Sequence, residues 1–122
     1  MNDERLLSAT PVLASLDIER SVHFYRTHLG FEVQHVEQGV YGVVTRDEVG
    51  LHFWACSERQ IAENTSCRFR VDRLDSLYAR CEAAGIVHPN ASLESKPWGA
   101  REFAITDPDG NLVWFSQWAA DV

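Results

Sequence analysis

The feature that most constrains the fold of this chain is a weak internal repeat. Four positions of the first half recur in the second half at one constant offset: Asp17, Ser21, Gly30 and Phe31 match Asp72, Ser76, Gly85 and Ile86. Repetition of this kind predicts two copies of one structural unit. Each copy is too short to bury a core by itself, so we expect the two copies to pack together within the 122 residues.

The first half reads as a strand, a helix and three further strands. A strand is predicted over residues 7–13, where Pro11 indicates an edge or bulge position. A helix is predicted to begin at Asp17 and to end at Gly30, since glycine readily takes the left-handed conformation that closes a helix. Alternating runs with turn residues between them then predict strands at 31–37, 40–46 and 50–56.

The second half repeats this order after a polar connector at residues 57–65. The pattern predicts a strand at 66–71, a helix at 72–84, a loop-rich stretch at 88–100 and a hairpin of strands 102–106 and 111–117. The chain is therefore predicted to be a single α+β domain over residues 1–122. It consists of two βαβββ modules, at about 1–57 and 64–122, that form a curled mixed sheet with the helices on its outer face.

Side-chain alternation predicts that this sheet has one apolar face and one mixed face. Neighbouring side chains of a strand point to opposite faces, so His52, Trp54, Arg68, Arg70 and Trp114 lie opposite purely apolar residues. Helices on the apolar side would leave the mixed face to curl into a cup. Tryptophans beside arginines suit a ligand cleft, and the alternatives are a face exposed to solvent or buried in a dimer.

Composition narrows the classes of function. A formal net charge of −7 disfavours nucleic acid and anionic membrane surfaces as partners. No segment has the roughly 18 consecutive apolar residues of a membrane helix, and the N-terminus lacks the apolar region of a signal peptide, so we expect a cytoplasmic protein. Three widely spaced cysteines predict neither a disulfide framework nor a zinc knuckle.

Several short segments, in this order and spacing, match a known family. They are residues 11–13 (PVL), 22–25 (VHFY), 29–31 (LGF), 64–67 (NTSC), 74–78 (LDSLY), 96–99 (KPWG), 101–103 (REF) and 107–110 (DPDG). With them the chain resembles the glyoxalase/bleomycin-resistance group, the vicinal-oxygen-chelate superfamily, and within it the bleomycin-resistance proteins. The resemblance implies paired βαβββ modules around a cleft. It also implies a homodimer with clefts at the interface, possibly with the N-terminal strand exchanged about Pro11.

Enzymes of this superfamily hold a divalent metal with His, Gln and Glu from four strands. The resemblance places Thr10, His52, Ser66 and Trp114 at those positions, and of these only the histidine is a good metal ligand. We therefore predict a non-enzymatic binding protein with no metal, no cofactor and no catalytic residues. The alternatives are a divalent-metal enzyme (a glyoxalase or lyase, dioxygenase or thiol transferase) and a structural or regulatory partner of another protein.

In bleomycin-resistance proteins, aromatic residues clamp the flat bithiazole of the drug and acidic surface holds its cationic tail. The resemblance matches Trp98 to one clamp position. It also puts His35 and Val40 where drug binders carry phenylalanine, and Arg68 and Arg70 where they carry tryptophan. Arginines in the cleft favour a carboxylate or phosphate.

The predicted ligand-binding residues are Trp98, His52, Trp54, Arg68, Arg70, Glu102, Trp114, His35, Val40 and Tyr41. Glu102 also follows Arg101 directly in the sequence. We predict a structural ion pair between these two residues in preference to an acid/base role for the carboxylate.

Overall fold

The computed structural model describes residues 3–119, and each half forms a βαβββ module. The first module contains β1 (Val12–Ser15), α1 (Ile18–Leu29), β2 (Glu32–Glu37), β3 (Tyr41–Arg46) and β4 (Val49–Ala55). A short helix, α2 (Arg59–Glu63), connects the modules. The second module contains β5 (Ser66–Arg70), α3 (Leu74–Ala83), β6 (Glu94–Ser95), β7 (Ala100–Thr106) and β8 (Leu112–Trp118). The predicted fold class is confirmed.

Each module forms its own four-stranded mixed sheet, and the two sheets have the same topology. The strand order is β1-β4-β3-β2 in the first sheet and β5-β8-β7-β6 in the second. In both sheets the first and last strands of the module pair in parallel, and the other neighbours pair antiparallel. The internal repeat seen in the sequence is thus a repeat of structure. The described residues form two sheets that do not close into a barrel.

Helix α1 shows why the first module folds as its sequence predicts. The Asp17 carboxylate accepts a hydrogen bond from the backbone N–H of Arg20 and so caps the helix, which ends at Gly30 with a left-handed φ of 71°. The helix can lie close to β3 because Gly42 has no side chain. A Cβ there would come within 3.0 Å of Ile18 Cγ2.

The apolar residues of both modules share one core. The helices cover one side of each sheet, and the buried Tyr25 of α1 contacts Phe53 of β4 there, with ring centroids 5.1 Å apart. Phe103 and Phe115 of the second sheet belong to the same core. Phe31 of the first module approaches Phe69 of the second, with ring centroids 6.4 Å apart. Burial of this shared apolar surface is the main force that holds the modules together.

A buried polar contact also joins the modules, at the turn between β7 and β8. Asp109 has no solvent exposure and accepts hydrogen bonds from the backbone N–H of Leu16 at 3.1 Å and from Ser21 Oγ at 2.9 Å. Nη2 of Arg20 lies 2.5 Å from the same carboxylate. The charge is therefore compensated, as burial of a carboxylate requires.

Several predicted boundaries differ from the structure. The stretch predicted as a loop at 88–100 contains the two-residue strand β6, and β7 begins at Ala100 and not at 102. Residues 7–11 are outside β1, whose ladder with β4 begins at Val12. Pro11 still accepts a hydrogen bond from the backbone N–H of His52 at 3.1 Å, but a proline has no N–H to donate in return. The connector at 57–65 contains α2, whose five residues are too few to show helical periodicity. Helix α3 starts at Leu74 and not at 72; its first N–H donates to Gln117 Oε1 at 3.4 Å.

No helix within residues 3–119 has both the length and the apolar character that a membrane-spanning helix requires.

Candidate functional site

The mixed face predicted from alternation is the face that the helices leave uncovered, and we call it the open face of each sheet. In β4 Leu51 and Phe53 are buried, whereas the alternating His52 and Trp54 are not. In β5 Phe69 is buried between exposed arginines. The period-two pattern of the sequence thus places polar and aromatic side chains together on each open face.

The open face of the first sheet carries a cluster of aromatic and imidazole side chains. The hydroxyl of Tyr41 and Nδ1 of His52 are 2.9 Å apart, and their rings meet edge to face at 5.4 Å. Trp54 is paired directly across from Tyr41 and is 39% exposed. His35 lies on the neighbouring strand β2, and Val40 is exposed in the turn that precedes β3.

The open face of the second sheet is organised around Glu102, whose side chain is 1% exposed. Its carboxylate accepts hydrogen bonds from Nη1 of Arg68 and from Ser116 Oγ, the latter at 2.7 Å. Burial opposes ionisation of this group. The hydrogen bonds from Arg68, Ser116 and the Trp98 side chain outweigh burial and hold the pKa of Glu102 below its ordinary value.

Cations lie over the tryptophan rings of the second open face. The guanidinium carbon of Arg68 is 5.1 Å from the ring centroid of Trp114. The Lys96 Nζ is 5.9 Å from the same centroid and 6.0 Å from that of Trp98. Lys96 was not among the predicted site residues. Its place two residues before Trp98 was the available signal.

The structure divides the ten predicted site residues into two groups, one in each module. His35, Val40, Tyr41, His52 and Trp54 belong to the first module, and Arg68, Arg70, Trp98, Glu102 and Trp114 belong to the second. Val40 and Trp98 lie in turns that precede β3 and β7, and the other eight residues lie on strands. Two surface hollows of about 330 and 520 Å³ are lined by other residues.

The predicted ion pair between Arg101 and Glu102 is wrong. Adjacent strand residues point to opposite faces, so Arg101 turns away from the carboxylate and makes two hydrogen bonds to Asp75, at 2.8 and 3.1 Å. The partner of Glu102 is Arg68, which reaches it across β8 from β5.

The positions that the resemblance aligned with metal ligands do not fit a divalent metal. Nδ1 of His52 faces the Tyr41 hydroxyl, and Thr10, Ser66 and Trp114 offer no imidazole or carboxylate. Within residues 3–119, no three His, Cys, Asp or Glu side chains come together as a metal-binding group. The three cysteines are free thiols.

The architecture defines the class of protein first. Paired βαβββ modules with helices on one side of each sheet are the vicinal-oxygen-chelate fold. A bleomycin resistance determinant encoded on transposon Tn5 has this architecture with a TM-score of 0.80 and 29% identity, over 93% of this chain and 99% of that one. A bleomycin-binding protein from Streptomyces verticillus, solved with copper(II)-bleomycin, matches with a TM-score of 0.80 and 31% identity, over 92% and 96% of the two chains.

Sequence comparison then gives the family. The profile of the Glyoxalase/Bleomycin resistance protein/Dioxygenase superfamily matches residues 9–115. A bleomycin resistance protein of Geobacillus stearothermophilus is 37% identical, over 92% of this chain and 97% of its own length. The chain belongs to the glyoxalase/bleomycin resistance/dioxygenase superfamily.

Proposed function

We propose that this protein binds an antibiotic of the bleomycin type and confers resistance by sequestering it in the cytoplasm without altering it. The observation that carries the proposal is the similarity over nearly the whole chain to the Streptomyces verticillus protein solved with copper(II)-bleomycin. The open faces suit such a ligand, because exposed tryptophans can stack on a flat heteroaromatic system. Sequestration needs neither a metal nor a nucleophile.

The binding cleft is proposed to form between two copies of the chain. The two groups of candidate residues lie on separate sheets, and Trp54 and Trp98 are 39% and 54% exposed in a single chain. If the first open face of one copy meets the second open face of its partner, both groups line one cleft. Two equivalent clefts then follow from two-fold symmetry.

The N-terminal segment is proposed to stabilise this dimer. Leu6 and Leu7 are 98% and 87% exposed, although burying a leucine side chain contributes about 1.5–3 kcal/mol. The segment leads into β1 through Pro11, which is the hinge position implied by the family resemblance. Exchange of this segment between protomers would bury both leucines.

Calorimetric titration of the protein with bleomycin tests the proposed function. We expect saturable binding in the wild type and at least about a tenfold loss of affinity in Trp98→Ala, since a central aromatic anchor carries much of the binding energy in such sites. Ile61→Ala is the matched control, because Ile61 is exposed on α2, away from both open faces. Absence of saturable binding in the wild type would refute the proposal.

Expression in a bleomycin-sensitive bacterium tests the biological part. The wild type should raise the drug concentration that stops growth, and Trp98→Ala should raise it less at equal protein abundance. Equal protection by both proteins would argue against a role for Trp98 in the cleft.

A further inference from the structure

We propose that the open face of the second sheet selects a flat, electron-rich aromatic ring that carries an anionic group, such as an aromatic carboxylate or sulfonate. This inference rests on the proposed function only in assuming that a ligand occupies this face. It names the chemical class that the face prefers. The proposal rests on five residues of this face: Arg68, Lys96, Trp98, Glu102 and Trp114.

The tryptophan rings of this face already lie close to cations of the protein. Arg68 lies over the Trp114 ring at 5.1 Å, and Lys96 lies within 6.0 Å of the centroids of both Trp114 and Trp98. The negative potential of each ring is already turned toward a cation of the protein. A second cation arriving with the ligand meets repulsion there, whereas an electron-rich ring gains by stacking on the guanidinium plane.

Two carboxylates of this sheet, Glu102 and Glu94, face each other across β7 and β6. Glu102 is 1% exposed and is already bonded to Arg68 and Ser116, so a cationic ligand cannot reach it without displacing an arginine. Glu94, on the edge strand β6, is paired with Lys96 at 2.5 Å. The acceptors that would hold a cationic tail on this face are therefore engaged by cations of the same chain.

The Arg68 guanidinium can donate hydrogen bonds to a ligand on this face. Arg68 uses Nη1 for its hydrogen bonds to both Glu102 and Ser116, and its side chain is 45% exposed. A guanidinium also donates through Nε and Nη2, in a plane that matches a carboxylate or sulfonate. Glu102 fixes the plane of Arg68 over Trp114. A ligand can thus stack its ring and pair its anionic group at one place.

The arginines of this face contrast with the acidity of the whole chain. The whole chain has a formal net charge of −7, which repels anions at long range. The register of β5 against β8 nevertheless sets Arg68 opposite Trp114 and Arg70 opposite Ser116, so two arginines lie on this face. Because Arg68 and Lys96 are paired with Glu102 and Glu94, recognition of an anionic group here depends on the further N–H donors of the Arg68 guanidinium and not on an excess of positive charge.

Separate titrations with two matched naphthalene probes test the inference. The probes are 2-naphthoate and the uncharged 2-naphthamide, each titrated by tryptophan fluorescence against the wild type, Arg68→Gln, Lys96→Gln and the control Arg26→Gln. Arg26 is exposed on α1, on the other side of the first sheet, so its variant changes the net charge equally and leaves the open faces intact. Circular dichroism verifies that each variant is folded.

We expect the wild type and Arg26→Gln to bind 2-naphthoate about tenfold more tightly than 2-naphthamide. Arg68→Gln should lose most of this preference, and Lys96→Gln should lose part of it. The affinity of Arg68→Gln for bleomycin should rise, because a cation that opposes the tail of the drug has been removed. Equal affinity of the wild type for both probes, or a preference that survives in both variants, overturns the inference.

The outcomes separate this inference from the proposed function. If 2-naphthoate binds as expected and bleomycin does not bind, the ligand class stands and the proposed drug is wrong. If bleomycin binds and the naphthalene probes are not distinguished, the proposed function stands and the ligand class is wrong.

Discussion

The hydroxyl of Tyr25 donates a hydrogen bond of 2.8 Å to Oδ2 of Asp107, and this bond ties helix α1 of the first module to the β7–β8 turn of the second. Both residues are buried. Burial raises the pKa of Tyr25 well above its ordinary value of 10, so the hydroxyl remains a donor. Burial also raises the pKa of Asp107, against the hydrogen bonds from Tyr25 and Asn111 that lower it.

Removal of this hydroxyl should weaken the whole chain. Tyr25→Phe leaves the buried Asp107 carboxylate short of one donor, and we expect the free energy of unfolding to fall by about 1–3 kcal/mol. Urea denaturation followed by tryptophan fluorescence measures the change. Tyr41→Phe also removes a hydroxyl, but from a partly exposed pair on an open face, and should cost less. Equal losses in the two variants would contradict the role assigned to Tyr25.

Asp109 is expected to be the most sensitive carboxylate of the module contact. Asp109→Ala removes the acceptor for the Leu16 N–H and the Ser21 hydroxyl and leaves Arg20 without its partner. The expected loss is about 1–3 kcal/mol, because the Leu16 N–H and the buried Ser21 hydroxyl lose their acceptor, whereas the half-exposed Arg20 can still be solvated. Asp75→Ala breaks the exposed pair with Arg101 and should change the unfolding midpoint little. The reverse order of sensitivity would refute the account of the module contact.

Glu102 should make the free energy of unfolding depend on pH in the acidic range. Its pKa in the folded protein is held below the ordinary value of 4.5, so the folded state favours the ionised form. The stability this contributes is present above pH 4.5 and is lost as the pH falls through the folded pKa. Glu102→Gln cannot titrate, and its free energy of unfolding should fall less steeply below pH 4.5. Parallel curves for the two proteins, from urea titrations at several pH values, would contradict this pairing.

The N-terminal leucines should matter for assembly more than for the fold of one chain. Leu6→Ser combined with Leu7→Ser removes apolar surface that a single chain leaves exposed. We expect a weaker dimer by light scattering coupled to size exclusion, with an unchanged circular dichroism spectrum. Ile61→Ser is the control for an exposed apolar residue elsewhere. Wild-type protein that elutes with the mass of a monomer would contradict the proposed dimer itself.

Much of the fold could be predicted because local signals and the repeat agree. Asp17 and Gly30 mark the ends of α1, and strict alternation in β4 and β5 identified the buried side of each sheet. The failures have local causes as well. Residues 7–11 have strand-like composition, but the ladder with β4 begins only at Val12, after Pro11. Strand formation depends on a distant partner that composition does not reveal.

The candidate site was harder to predict because its contacts cross strands. Glu102 and Arg68 are far apart in sequence, and their pairing follows from the strand order β5-β8-β7. The neighbour Arg101 was the obvious partner in the sequence, but alternation sends it to the opposite face. Lys96 was missed because its role depends on where the 96–99 loop carries it relative to Trp114.

Native mass spectrometry of the purified protein with excess bleomycin tests the central claim most directly, because one spectrum reports both assembly and the mass of the bound drug. The account predicts a dimer that carries the drug, and drug of unchanged mass when the complex is dissociated. Protein that retains no drug, or drug recovered with an altered mass, would contradict sequestration by a non-enzymatic dimer.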